Sequence, residues 1–129
     1  IIYAYSREVM MTNKDIETYC LAKKGVIKEY PFDKVTAVYK VGNKMFALSS
    51  DVSDEVSLNL KCEPLYAAEL RSIYNCVTPG YHMNKKQWNT GTCNKEADDR
   101  LLEEWIDDSY TLVFNALTKK LQNEIDLKG

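Results

Sequence analysis

Residues 56–62 read Val56-Ser57-Leu58-Asn59-Leu60-Lys61-Cys62, an uninterrupted alternation of apolar and polar side chains. Successive side chains of an extended strand point to opposite faces. Val56, Leu58, Leu60 and Cys62 therefore share one face, and Ser57, Asn59 and Lys61 the other. A strand with one apolar and one wet face belongs in an antiparallel sheet covered on a single side.

The flanking segments supply partners for that strand. Val35, Ala37, Tyr39 and Val41 alternate with Thr36, Val38 and Lys40, and Gly42-Asn43 is a two-residue turn from which Lys44 to Ser49 returns. A helix is predicted from Thr12-Asn13-Lys14-Asp15, where Thr12 or Asn13 caps the first amides. Ile16, Tyr19 and Cys20 lie at helical spacing, and Gly25 stops the helix. Glu63-Pro64 opens a second helix in which Leu65, Ala68/Glu69, Leu70 and Ile73 suit a face lying on the sheet. Thr78-Pro79-Gly80-Tyr81 reads as a turn, and Tyr81 to Cys93 as a hairpin with Asn84-Lys85-Lys86-Gln87 near its tip. Asn94 precedes a last helix, in which Leu101, Leu102, Trp105, Ile106, Ser109, Leu112, Val113, Ala116, Leu117 and Leu121 form one stripe. Asp107-Asp108-Ser109 is a candidate break in it. The expected fold is α+β: a two-layer sandwich, its antiparallel sheet with helices on one face, in the order α-β-β-β-α-β-β-α.

The chain has 129 residues, 45% hydrophobic and 28% charged, the size and balance of one domain. Residues 1–9 precede Met10-Met11-Thr12, which resembles a translation start; they are an extra strand or the tail of a preceding segment, and residues 10–129 form the domain. No apolar run approaches the roughly 20 residues of a membrane span, and no export signal stands at the start, so a cytoplasmic protein is expected. Cys20, Cys62, Cys76 and Cys93 contain no Cys-x-x-Cys pair, and His82 is the only histidine. Neither a metal site nor any other cofactor is expected, and the thiols are expected to be reduced.

Nucleophile elbows, P-loops, dinucleotide glycine patterns and His-Glu-x-x-His are all absent, and the acids lie on one helix face, so a non-enzymatic role is expected. Net charge is −2, yet residues 1–95 hold thirteen basic and ten acidic side chains and residues 96–129 four and nine. Between Cys76 and Lys95 there is no acid at all. This cationic stretch interleaves Tyr81, His82, Asn84, Lys85, Lys86, Gln87 and Trp88. Lysines there suit phosphate contacts, amides suit base edges or phosphates, and Trp88 suits stacking or wedging. The alternatives are Trp88 in the core, and His82 and Asn84 bonding the backbone to hold the turn. Lys40 and Lys44 flank the Gly42-Asn43 turn, making a second lysine-tipped hairpin, and Lys61 is placed on the wet face between the two.

Tyr19-Cys20-Leu21-Ala22-Lys23-Lys24-Gly25, Lys40-Val41-Gly42-Asn43-Lys44-Met45-Phe46-Ala47, Leu58-Asn59-Leu60-Lys61-Cys62-Glu63-Pro64, the Pro79–Thr90 stretch and Asp108-Ser109-Tyr110-Thr111-Leu112-Val113 together resemble the bacterial YjbR/MmcQ-like proteins over about residues 11–122. Within them Tyr81-His82-Met83-Asn84-Lys85-Lys86-Gln87-Trp88 is the specific run. Lys24 and Gly91 depart from the family pattern, which often has proline and a β-branched residue there. The resemblance implies an α+β fold likened to type III secretion chaperones and to the frataxin/CyaY group, and a double-wing DNA-binding motif. A frataxin-like iron site would need a run of acids on the first helix, which offers Asp15 and Glu17 alone.

The expected function is DNA binding through Lys40, Lys44, Lys61, His82, Asn84, Lys85, Lys86, Gln87 and Trp88, with double-stranded DNA as the partner. The rival is a protein-interaction module that uses the wet sheet face or residues 1–9. No membrane partner is expected.

Overall fold

The computed structural model describes residues 11–50, 56–80, 84, 86–91 and 99–128. Helix α1 spans Asn13–Leu21 and begins in a capping box. Thr12 Oγ1 accepts from the Asp15 amide at 3.2 Å, and Asp15 Oδ2 accepts from the Thr12 amide at 2.9 Å. Four strands follow: β1 Val26–Glu29, β2 Thr36–Val41, β3 Lys44–Ser50 and β4 Leu58–Lys61. Then come α2 Pro64–Ile73, β5 Val77–Pro79, β6 Trp88–Gly91, α3 Asp99–Asn115 and α4 Lys119–Lys128. The sheet has the order β1-β2-β3-β4-β6-β5, and every neighbouring pair is antiparallel.

The α+β class and the antiparallel sheet agree with the reading above; the element order does not. The described order is α-β-β-β-β-α-β-β-α-α. The additional strand, β1, lies right after Gly25 and pairs along its length with β2, from Val26 opposite Val41 to Glu29 opposite Val38. Thr78 and Pro79 belong to a strand rather than a turn, because Thr78 lies opposite Thr90 and Pro79 opposite Asn89. β5 is an edge strand, where proline's missing amide costs no ladder bond. The hairpin is therefore β5–β6, and residues 80–87 connect it. The last helix is two helices: α3 runs through Asp107-Asp108-Ser109, and the break falls after Asn115. There the Ala116 and Leu117 amides tighten onto the carbonyls of Val113 and Phe114, each at 3.1 Å.

All four helices feed one apolar cluster, but α2 does so on a different face from the one expected: Ala67 and Leu70 are buried, while Leu65 and Ile73 are exposed. Ile16 and Cys20 of α1, Leu70 of α2, Leu102, Trp105, Ile106 and Val113 of α3, and Ile125 of α4 pack with Ala37, Tyr39, Val41, Phe46, Leu58 and Leu60. A bulge lets β3 contribute two adjacent residues. Tyr39 lies opposite Ala47 and Lys40 opposite Met45, so Phe46 is the extra residue, and it is buried alongside Ala47. A second buried cluster, Val38, Leu48 and Trp88 with Met45 against it, comes from strands alone. The face expected to be wet thus carries an apolar patch of its own. Cys20 and Cys62 are free, but Cys76 is disulfide-bonded, which corrects the expectation of four reduced thiols. Among the described residues no helix is long and apolar enough to cross a membrane.

Candidate nucleic-acid interface

Register brings the two lysine-bearing connections together. β3 begins at Lys44, just after the Gly42-Asn43 turn, and runs antiparallel to β4. The turn therefore lies beside the β4 end, at Lys61. Trp88, the first residue of β6, is opposite Lys61, and the Cys62 amide donates to the Gln87 carbonyl at 2.7 Å. The β2–β3 turn, the end of β4 and the connection 80–87 consequently share one end of the sheet. β3 and β6 are separated by β4 alone, about 10 Å at ordinary strand spacing.

The tight turn is pinned. Gly42 and Asn43 have φ of 56° and 66°, the left-handed region. A Cβ on Gly42 would stand 2.6 Å from Leu117 Cδ1. Leu117 and Leu121 thus hold the turn under the α3–α4 junction. Lys44 is exposed just past it. Lys40 behaves differently: its Nζ is 2.9 Å from Glu29 Oε1 and its side chain is 17% exposed, so its charge is already matched.

Lys61 is positioned by a buried hydroxyl. Ser109 Oγ accepts from the Lys61 amide at 2.9 Å and donates to the Phe46 carbonyl at 2.5 Å. Ser109 is fully buried and ties α3 to the adjacent strand ends that carry Lys61 and Phe46. Trp88 is 7% exposed and packs with Val38 and Leu48, so the core alternative describes most of its ring. Asn84 also follows the structural alternative. Its Oδ1 accepts from the Lys86 amide at 3.0 Å, and its carbonyl accepts from the Gln87 and Trp88 amides at 3.1 and 3.0 Å. This local bonding shapes the approach to β6. Lys86 and Gln87 are exposed. His82 and Lys85 lie outside the described residues, as do residues 1–9.

Lys44, Lys61 and Trp88 meet around one groove. Met45, Val113, Ala116 and Leu117 complete its lining, and its volume is about 300 Å³. No acidic residue lines it. The four completing residues were not anticipated as site residues: Val113, Ala116 and Leu117 read as core stripe, and Met45 as strand. Among the described residues, neither Lys44 nor Lys61 forms an ion pair.

Of the α3 acids, Asp107 is directed away from the groove and Asp108 borders Lys61 from the other side. Asp107 accepts from the Tyr19 hydroxyl at 2.7 Å and pairs with Lys23, whose ammonium also lies over the Tyr19 and Tyr110 rings. Asp108 lines a different hollow of about 220 Å³ with Lys61, Cys62, Glu63, Tyr66 and Leu112. Burial raises the Asp108 carboxyl above its usual range, with Asp107 and Glu104 adding to the effect. Burial pushes the Cys62 thiol up to about 11, so it stays protonated and a poor nucleophile at neutral pH. Among the described residues no group of three His, Cys, Asp or Glu side chains is placed to hold a metal.

Comparison with known proteins gives the family context. A family described as YjbR matches residues 21–112. The Escherichia coli O157:H7 protein YbdF is 38% identical over 96 residues, covering 74% of this chain and 79% of that one. YjbR of Escherichia coli K12 is 29% identical over 110 residues, covering 85% and 93%. The curated names call both relatives uncharacterised. The crystal structure of Deinococcus radiodurans DR2400, whose domain is described as DUF419, superposes with a TM-score of 0.85 at 35% identity, covering 91% of this chain and 89% of that one.

Proposed function

The chain belongs to the YjbR family, and from that footing we propose that it is a non-enzymatic, cytoplasmic DNA-binding protein whose contact surface is the lysine-bearing end of its sheet. The observation that carries this reading is the convergence of Lys44 and Lys61 on one groove free of carboxylates, two residues along β6's approach from exposed Lys86. Exposed ammonium groups on a rigid frame are what phosphate contacts require, and their strength falls as salt rises. Of the acids near this surface, Asp107 is turned onto Lys23 and Tyr19, whereas Asp108 and Glu63 line the neighbouring hollow that Lys61 also borders. Lys40 drops out of the contact set because Glu29 holds it.

Three phosphate contacts, from Lys44, Lys61 and Lys86, correspond to a log-affinity against log-salt slope of about −3. The test is fluorescence anisotropy with a labelled duplex from 20 to 200 mM salt (roughly the range over which counterion release is read). Salt-dependent binding that weakens in a Lys44→Ala/Lys61→Ala variant supports the reading. Binding insensitive to salt, or none at any salt, refutes it.

One observation favours the rival. Ile27, Tyr30, Phe32 and Val35 are exposed around edge strand β1, with Phe32 at 62%. An edge strand flanked by apolar side chains suits pairing with a partner segment. Light scattering decides: a mass above one chain that falls in Phe32→Ser favours the protein-interaction reading, and a monomer disfavours self-association.

A further inference from the structure

Cys76 stands immediately before β5 and is disulfide-bonded. The chain has four cysteines, and Cys20 and Cys62 are free. Cys93 lies outside the described residues; by count it is the cysteine left to Cys76 within the chain. The strand register agrees with that pairing. Val77 lies opposite Gly91, so the bond joins the residue just before β5 to one two positions past the end of β6. It closes the base of the β5–β6 hairpin, at the end away from Lys86.

β5 gains much from such a bond. It is an edge strand of three residues, its Thr78 and Pro79 are exposed, and Pro79 has no amide to give. A covalent link between strand ends removes freedom that a short ladder restrains poorly. Cys76 is half-buried, within reach of a small thiol. The free cysteines stay out of the exchange: burial pushes Cys20 up to about 12 and Cys62 up to about 11, so neither supplies a thiolate at neutral pH. In a reducing compartment, moreover, disulfides are mostly transient or sensing rather than permanent staples.

We propose that the Cys76–Cys93 bond is a reversible redox clamp on the β5–β6 hairpin, opened by a small-molecule thiol and closed by a small-molecule disulfide. In opening, one thiolate attacks a sulfur of the bond, forms a mixed disulfide and releases the other cysteine. A second thiolate attacks the mixed disulfide, frees the remaining cysteine and leaves as the small-molecule disulfide. Two electrons pass from the two thiols to the protein pair, which takes up two protons; closure is the reverse. Closed, the connection that carries Asn84 and Lys86 springs from two tied strands. Open, β5 frays from β6 and that connection loses an anchor. The effect on DNA rests on the DNA-binding reading, and the clamp itself does not.

The test equilibrates the protein in glutathione buffers from reduced to oxidised, quenches with acid, alkylates the thiols and counts them by mass. Peptide mapping without reductant identifies the bond, and Cys76→Ser and Cys93→Ser serve as permanently open forms. The expected result is a Cys76–Cys93 peptide whose bond opens within the glutathione range. The open protein melts lower, and exchange quickens at the Gly80 amide, which donates to the Trp88 carbonyl at 2.7 Å, while the β2–β3 ladder is unchanged. Affinity for a labelled duplex falls about threefold to tenfold on opening, from lost preorganisation, and both variants match the open form whatever the buffer. A different pairing, a bond that resists excess millimolar glutathione, or opening without faster Gly80 exchange overturns the clamp. Faster exchange with unchanged duplex affinity overturns its control of binding and leaves the clamp standing. No duplex binding in either form overturns the DNA-binding reading, and exchange and melting still decide the clamp.

Discussion

The β2–β3 turn and the β5–β6 connection leave the sheet at the same end, each beside lysines, yet they are held there by different forces. The first is two residues long, left-handed, and wedged against Leu117 and Leu121. The second is eight residues long between its strands, and its described part is shaped by bonds to Asn84 from the exposed Lys86 and Gln87 and from the buried Trp88. The first is fixed by core packing along its whole length, and the second by packing at its start, where a Cβ on Gly80 would stand 2.6 Å from Trp88 Cβ, and by local polar bonds around Asn84. Packing against a buried leucine tolerates no added atom, whereas an exposed hydrogen bond trades against water. Lys44 therefore follows a turn wedged by leucines, and Lys86 follows a segment held by the Asn84 bonds.

Substitutions can break that contrast. Gly42→Ala should cost most, about 2–4 kcal/mol, from a left-handed conformation imposed on a Cβ and a clash with Leu117. Urea unfolding reads it, and adding Leu117→Ala should make the pair cheaper than the sum of the singles; strict additivity would show that the turn is not wedged. Ser109→Ala should cost about 1–3 kcal/mol by leaving the Lys61 amide and Phe46 carbonyl without their shared partner. Hydrogen exchange at Lys61 should quicken with it.

Lys44→Ala should lower the salt slope of DNA binding by about 0.9, and Lys40→Ala should leave it unchanged because Glu29 already occupies that ammonium. Equal losses would dissolve the distinction between the two lysines. Asn84→Ala should cost about 0.5–1 kcal/mol, well below Gly42→Ala, in keeping with its exposure. A loss as large as that of Gly42→Ala would mean the second connection is anchored as firmly as the first.

The smallest effect concerns charge at the far side of α1. Hydrogen bonds from Lys28 and then Lys14 hold the Glu17 carboxyl at about 2, well under its ordinary 4.5. A carboxyl lowered on folding stabilises the protein above its unfolded value, and that contribution fades as pH falls from about 4.5 toward 2. Glu17→Gln should therefore melt slightly lower than the parent at pH 7 and low salt, with the gap closing by pH 2 and shrinking in high salt. A gap that persists at pH 2 would assign the effect to packing.

Much of the scaffold was legible from local pattern. The 56–62 alternation, the Gly42-Asn43 turn, the Thr12 cap and the Pro64 helix start each depend on neighbours within a few residues, and each appears where that logic puts it. β1 was not legible, because Val26-Ile27-Lys28-Glu29 shows no alternation and becomes a strand through its ladder to β2. That omission hid the fate of Lys40, whose partner Glu29 stands on the missing strand. β5 was read as a turn because Thr78-Pro79-Gly80 has turn chemistry, and only its pairing with β6 overrides it. Val113, Ala116 and Leu117 carried a helical apolar stripe, which says that they face inward but not that they border a groove.

Residue order alone determined that this chain would be an antiparallel sheet covered by helices, with lysines clustered at turns, since strand alternation, caps and turn residues act over short distances. Which lysines remain unmatched, and that two connections distant in sequence meet beside Trp88, was decided by strand register and by the seating of Gly42 on Leu117. Those depend on contacts between residues up to 75 positions apart, as Gly42 and Leu117 are, and no local pattern carries such information.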